Sequence, residues 1–360
     1  MQQIRPHLLA VIFTCLTLFG LSANAEAQSD KTNQNQNLKG TDVERSLLIV
    51  STTDVVEVKE LLAGWQRLYP QIQVDYIHKP SLEVFDSVIN CETSSACPDI
   101  SWSSAMDLQI KLVNDGYAQS YSSRELSSLP DWAVWRNEAY GITAEPIAVV
   151  YNKMLVPPED VPRTHADIVK LIVEKRDFYR GKIASYDPEL SGTGFLFLTN
   201  DLQVTTETWN LARAFGQVGI KLYTYGHTIL DRIVSGEHLI AYNMIASYAL
   251  ARAKADPSIG VILLSDYTLQ MTRIALIPKA ARHPNAARLF LDYLLSQEGQ
   301  RQLALRSFGT VRSDVPNPTS EMQQVANLRP IHVGPDLLTY LDQAKRKSFF
   351  RQWRRALEAR

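Results

Sequence analysis

SLLIVSTTDVVEVKELLAGWQRLYPQIQVDY, residues 46–76, passes from an apolar run through a hydroxyl-rich turn into a helical pattern and a second, alternating run. SLLIVS is short and apolar enough to be a buried strand. From Val55 to Tyr69 the residues Val58, Leu61, Leu62, Trp65 and Leu68 fall at helical spacing, and Pro70 stops the run. Ile72, Val74 and Tyr76 then alternate as a strand. Strand, helix, strand in this order is the unit of an α/β sheet with parallel strands.

The same grammar runs on in both directions along the chain. Residues 81–89 read as a helix, PDISW (98–102) as a strand, and Ala105 to Val113 as a helix ended by Gly116. KIASYD (182–187), HLIAYN (238–243), SIGVILLS (258–265) and RIALIP (273–278) are further strands. GFLFLTN (194–200), Thr206 to Phe215, a segment through Ala255, PNAARLFLDYLL (284–295) and QEGQRQLAL (297–305) are helices. GPDLLTYLDQAKRKSFFRQWRRAL (334–357) reads as one long terminal helix. GITAEPIAVVYNK (141–153) and LLSDYTLQMTRIALIP (263–278) read as two crossings between lobes. The expected fold is therefore α/β and two-lobed, each lobe a mainly parallel sheet flanked by helices. Lobe I takes residues 46–145 and 273–320, lobe II takes 146–272, and 321–360 is a helical segment assigned to neither.

Bulk properties bound the function. Leu8 to Leu21 behind Arg5 is an apolar run of signal-peptide length, shorter than the roughly 20 residues of a membrane span. Cleavage is expected near Ala25 or Ala27, so 1–27 is a signal peptide and 28–45 a polar leader with little to bury. The protein is then exported to the periplasm, without stable membrane insertion after cleavage. Net charge is −1 and the hydrophobic fraction is 45%, which fits a globular monomer and gives no global field for nucleic acid. Of three cysteines, Cys15 leaves with the signal, and Cys91 and Cys97 remain. In an oxidising compartment they pair, adding about 2 kcal/mol and pinning the turn that follows; two unpaired buried thiols are the alternative.

Ligands of open α/β sheets bind beyond the carboxyl ends of strands, and the turns there share one chemistry. They hold Ser51, Thr52 and Thr53; Ser101, Trp102, Ser103 and Ser104; Ser191, Gly192, Thr193 and Gly194; and Tyr242 with Asn243. Tyr267 is added from the second crossing. Hydroxyls and amides ahead of a helix bind anions, because a helix start carries unpaired N–H groups and about half a positive charge. The plainer reading makes each serine or threonine an N-cap and each large aromatic a core residue. No dinucleotide fingerprint, P-loop, nucleophile elbow or zinc motif is present, and the histidines lack metal-ligand spacing, so neither catalysis, cofactor nor metal is expected. An exported phosphatase using Asp187 or His227 is the enzymatic alternative. Lys345, Arg346, Lys347, Arg351, Arg354 and Arg355 alternate with Phe349, Phe350 and Trp353 as a docked helix with a solvated basic side; a membrane or nucleic-acid surface is the alternative.

GWQRLYPQIQV, PDISWSSA, GITAEPIAVVYNK and HPNAARLFLDYLLSQEGQRQLA, behind a signal peptide, resemble the family 1 extracellular solute-binding proteins of ABC importers. Within that family the chain is similar to the branch of ferric-ion, hexose-phosphate, phosphonate and phosphoglycerate binders. The resemblance implies a type II periplasmic-binding-protein fold and an ABC permease as partner, or a membrane sensor kinase in place of the permease. It carries the family's binding turns onto Ser51 to Thr53, Ser101 to Ser104 and Ser191 to Gly194. Ferric binders in the branch place adjacent tyrosines where this chain reads Ala241-Tyr242-Asn243-Met244. With one tyrosine there, a small anionic solute such as an organophosphate is the expected ligand, and ferric ion the alternative.

Overall fold

The computed structural model describes residues 44–91, 97–317 and 327–358. The expected signal peptide and nearly all of the polar leader lie outside the described residues. The chain from Arg45 onward forms one compact unit containing two sheets.

The first sheet begins with β1 (Ser46–Ser51), β2 (Gln73–His78), β3 (Ile100–Ser103), β4 (Val134–Trp135) and β5 (Ala139–Gly141). Between them run α1 (Val55–Leu68), α2 (Ser81–Ile89) and α3 (Met106–Asn114). β1 lies parallel to both β2 and β3. The helical spacing of α1 buries Val58, Leu61 and Trp65, and Trp65 meets Phe290 edge-on at 5.2 Å. Each such side chain contributes about 1.5–3 kcal/mol when fully buried.

The second sheet follows with β6 (Glu145–Asn152), β7 (Ile183–Tyr186), β8 (Lys221–Tyr223), β9 (Ile240–Ile245), β10 (Ile259–Ile262) and β11 (Thr268–Met271). Its helices are α4 (His165–Glu174), α5 (Arg176–Tyr179), α6 (Gly192–Val204), α7 (Thr208–Val218), α8 (Gly226–Val234) and α9 (Ala246–Ala255). The chain returns through β12 (Ile274–Leu276) to the first sheet, adds α10 (Pro284–Leu295) and α11 (Gln297–Leu305), and ends with β13 (Leu328–Pro330) and α12 (Gln343–Glu358). The strand orders are β2-β1-β3-β12-β5-β4 and β13-β11-β6-β9-β7-β8, with β10 beside β6.

Three features differ from the reading of the sequence. Parallel pairing holds for β1 with β2 and β3 and for β7 with β8 and β9, but β6 and β12 insert antiparallel, so both sheets are mixed. A strand arriving from the other lobe has no crossover helix to turn it parallel. β13 pairs parallel with β11, a strand where the sequence reads as helical. The terminal helix is also shorter than expected. Pro335–Leu338 is a single 3-10 turn, and Asp342 starts α12 by accepting the Lys345 N–H at 3.0 Å. Phe349, Trp353 and Ala356 then bury in the second sheet's core with Phe195 and Phe215, so α12 packs on the second lobe. Gly216 allows this contact, because a Cβ there would stand 2.6 Å from the Ala356 carbonyl.

The crossings are tied by a buried ion pair. Arg273 and Glu145 are both 0% exposed, and the guanidinium donates to the carboxylate at 2.8 and 3.3 Å. Burial alone disfavours the charged guanidinium, but Glu145 outweighs it and holds the Arg273 pKa above its ordinary value. Arg273 Nη1 also donates to Thr53 Oγ1 at 2.9 Å in the first lobe, and Ser247 of α9 donates to Glu145 from the second. Removing one partner leaves the other as an uncompensated charge. Glu145→Ala is expected to cost about 3–5 kcal/mol in urea unfolding, whereas Glu298→Ala, which breaks an exposed pair with Arg301, leaves the midpoint nearly unchanged. Equal effects would contradict the assignment of this pair as the tie between crossings.

Candidate functional site

A cavity of about 680 Å³ opens between the lobes at the carboxyl ends of β1, β2, β3, β7 and β8. Six helices begin on its wall, one of them α9 at Ile245. Asp54 and Glu57 mark the start of α1, Ser81 that of α2 and Ser104 that of α3; Ser191 with Thr193 and Gly226 with His227 mark α6 and α8. The first four N–H groups of any helix lack an intrahelical acceptor, so donors and dipole ends converge here. Charged side chains on the wall nearly cancel: Lys79 and Arg252 stand against Asp54 and Glu57. Asp54 also faces His78 at 3.3 Å, and Arg252 pairs with Asp231 at 3.0 Å. Tyr186, Leu190, Leu230, Ile245 and Tyr248 give the cavity an apolar side.

Of the expected site residues, Thr52, Ser104, Ser191 and Thr193 line this cavity. Thr52 Oγ1 accepts the Ser104 N–H at 3.0 Å and lies 3.2 Å from Ser104 Oγ, which in turn lies 3.4 Å from Thr193 Oγ1. Hydroxyls thus run across the cleft from one lobe to the other. Gly192 sits where the lobes meet: a Cβ there would fall 2.8 Å from Ser81 Oγ and 3.3 Å from Ala105 Cβ. Ser191 caps α6 by accepting the Gly194 N–H at 3.2 Å.

The remaining first-lobe candidates lie beneath the wall. Ser51 and Ser103 accept the N–H groups of Thr53 and Ala105, and Ser101 donates to Gln109 Oε1 at 3.1 Å. Thr53 receives Arg273, and Trp102 is 0% exposed in the first-lobe core. Their side chains serve the turns and the core, and none is an N-cap, because those positions fall on Asp54 and Ala105.

Tyr242, Asn243 and Tyr267 are placed elsewhere. Their side chains donate to Asp201 at 3.0, 2.8 and 3.0 Å, around a separate small cavity that His165 also lines. β9 continues to Ile245, two residues past the expected end, and its pairing with β6 shifts register between Ala148 and Val150. Asn243 adopts φ 57° at this irregularity. The segment that reaches the cavity is therefore Ile245 with the first turn of α9. Burial pushes the Asp201 carboxyl up, against the pull of His165 and the three donors.

Residues outside the expected binding set complete the wall. His78 ends β2, two residues beyond Tyr76, and Lys79 and Ser81 follow it. Thr224 to His227 follow β8, and the stretch YTYGH (223–227) has the same strand-turn-helix form as the turns that were singled out. His227 stacks on Tyr225 with ring centroids 5.4 Å apart. Asp187 accepts the Glu189 N–H at 2.8 Å as a turn group. Cys91 and Cys97 form a disulfide, with Cα atoms 4.9 Å apart. It joins the end of α2 to the start of β3, opposite the ends that meet the cavity, so it braces the helix on the strand and not the Ser101–Ser104 turn itself.

The two groups of residues predict different phenotypes. Asp201→Ala strands three buried donors and is expected to lose about 3 kcal/mol of stability, with solute affinity unchanged. Thr193→Val does the reverse, weakening solute binding at nearly constant melting temperature. A calorimetric melt paired with a binding titration distinguishes them, and a swap of the two outcomes would contradict the placement.

The profile of the bacterial extracellular solute-binding protein family matches residues 98–330. The substrate-binding protein of an ABC transporter from Agrobacterium tumefaciens is 36% identical, with a TM-score of 0.81, covering 89% of this chain and 96% of that one. The ferric binding protein from Campylobacter jejuni shares the fold at 17% identity and TM-score 0.69, over 86% of this chain and 99% of its own. AfuA from Actinobacillus pleuropneumoniae, with fructose-6-phosphate bound, does so at 17% and 0.71, over 89% and 100%. A search of curated proteins finds no match. Two sheets joined by crossing strands, a cleft between them and a close relative of the same architecture lead to one conclusion: the chain belongs to the bacterial extracellular solute-binding proteins of ABC importers.

Proposed function

We propose that the protein captures a small organic anion in its interlobe cavity, an organophosphate such as a phosphoglycerate or sugar phosphate, and presents it to an ABC permease from the periplasm. The observation that carries this reading is the convergence of six helix starts on a wall whose charged side chains balance. With formal charges cancelling, the helix ends decide the sign, and they favour an anion. Neutral donors hold such a guest by hydrogen bonds that break when the lobes part. Micromolar affinity corresponds to about −8 kcal/mol, which several charge-assisted hydrogen bonds supply.

The apolar side of the cavity supports an anion with a carbon skeleton over bare orthophosphate. Tyr186, Leu230, Ile245 and Tyr248 offer contacts that an inorganic ion does not use. Iron coordination by Tyr242 and Tyr267 has little support, because both phenols are committed to Asp201 and burial raises their pKa values. The hydroxyl contacts that bridge the lobes support capture and release by hinge motion at the crossings.

A thermal-shift screen of phosphoglycerates, hexose phosphates, phosphonates, carboxylates, orthophosphate and ferric ion tests this directly. Binding to the folded state at a hundredfold excess over Kd adds about 2.7 kcal/mol, so an organophosphate is expected to raise the melting temperature by several degrees. A shift with ferric ion and none with any anion would overturn the reading.

A further inference from the structure

Asp107, the second residue of α3, is 3% exposed, and its Oδ1 has no hydrogen-bond partner. The cover comes from the other lobe. Leu190, Gly192 and Phe195, with Arg346 of α12, close a cavity of about 20 Å³ over Asp107 and Leu82. This space adjoins the main cavity, since Leu82, Leu190 and Ser191 face both.

Two charged groups face Asp107 across this contact, and neither bonds to it. Arg346 lies over the rings of Phe195 and Phe350, at 4.9 and 5.5 Å. Glu189, from the loop before α6, is engaged by Arg354 at 2.9 Å. From its own lobe, α2 and α3 present Leu82 and Leu108 to the same space. A carboxylate sealed beneath the other lobe without a charged partner is costly, and the N–H groups at the start of α3 offset only part of that cost.

We propose that Asp107 is a positioning residue that couples lobe closure to the uptake of one proton. The inference rests on the closure reading above and adds a proton to it. Burial pushes the Asp107 carboxyl up to about 7, against the pull of the N–H groups at the start of α3 and of Arg346. When the lobes part, solvent returns the group to the ordinary carboxylate range. Between those two values the closed form holds a proton that the open form lacks, so closure weakens as pH rises through this window and levels off above it. Solute is then held more tightly in acid surroundings and released more readily near neutrality.

The test measures closure by energy transfer between dyes on Lys59→Cys of α1 and Lys170→Cys of α4, both exposed positions on opposite lobes. Wild type and Asp107→Asn are compared at pH 5.5 and 8.0, with and without 3-phosphoglycerate or glucose 6-phosphate; Asp107→Ser serves as a second neutral variant. With solute present, the closed-to-open ratio of the wild type is expected to fall about tenfold or more across this range, and that of both variants to be the same at both pH values. A pH response retained in the variants overturns the proposal, as does closure by a sugar phosphate with no pH effect in the wild type. Dyes that move with neither pH nor solute overturn this inference and the closure reading together.

Discussion

The Arg273–Glu145 pair ties together the two crossings at the junction of the lobes. It lies where the chain leaves the first sheet and where it returns, with Glu145 opening β6 and Arg273 just ahead of β12. Thr143 reinforces it twice, donating to Glu145 at 2.9 Å and accepting the Arg273 N–H at 2.8 Å. Two charges at 0% exposure are tolerable only because almost every lone pair and N–H among them is used. The reach of the pair is what gives it consequence. Thr53, which receives Arg273, is adjacent to Thr52 on the cavity wall, and Ser247, which binds Glu145, is adjacent to Tyr248 on the same wall. The floor of the site is thus fixed by the same contacts that fix the crossings.

From this floor the rest of the site follows by sheet geometry. Parallel strands on either side point their carboxyl ends at the cleft, and the helices that follow them must begin there. Polar donors therefore accumulate at the interlobe face without any cluster of cationic side chains. The contact between α6 and the starts of α2 and α3 is close because residue 192 has no side chain. Closure brings helix ends of like polarity together, which is unfavourable in an empty cleft and favourable around an anion. That makes the guest part of what shuts the lobes.

Much of this was legible in the sequence, and the losses have physical causes. Alternation of apolar runs with helical spacing gave the two-lobed α/β architecture, and the strand-turn-helix form pointed to Thr52, Ser104, Ser191 and Thr193. The irregular pairing of β9 hid the true end of that strand, and with it went Tyr242 and Asn243. Short or exposed strands carry little apolar signal: the exposed β2 and three-residue β8 concealed the turns bearing Lys79 and His227. The fate of single serines, as cap or wall, depends on angstrom-scale burial that no spacing encodes. Asp107 was invisible for a related reason, since its isolation is created by residues more than 80 positions away on the other lobe.

The central claim is that backbone donors at helix ends, and not a cationic or metal centre, hold a negatively charged guest. Calorimetric titration with pairs that differ only in a phosphate, glycerol 3-phosphate against glycerol and glucose 6-phosphate against glucose, tests it most directly. Heat of binding is predicted for the phosphorylated member of at least one pair and for neither neutral counterpart. Equal binding of a neutral partner, or binding of ferric ion alone, would contradict the account.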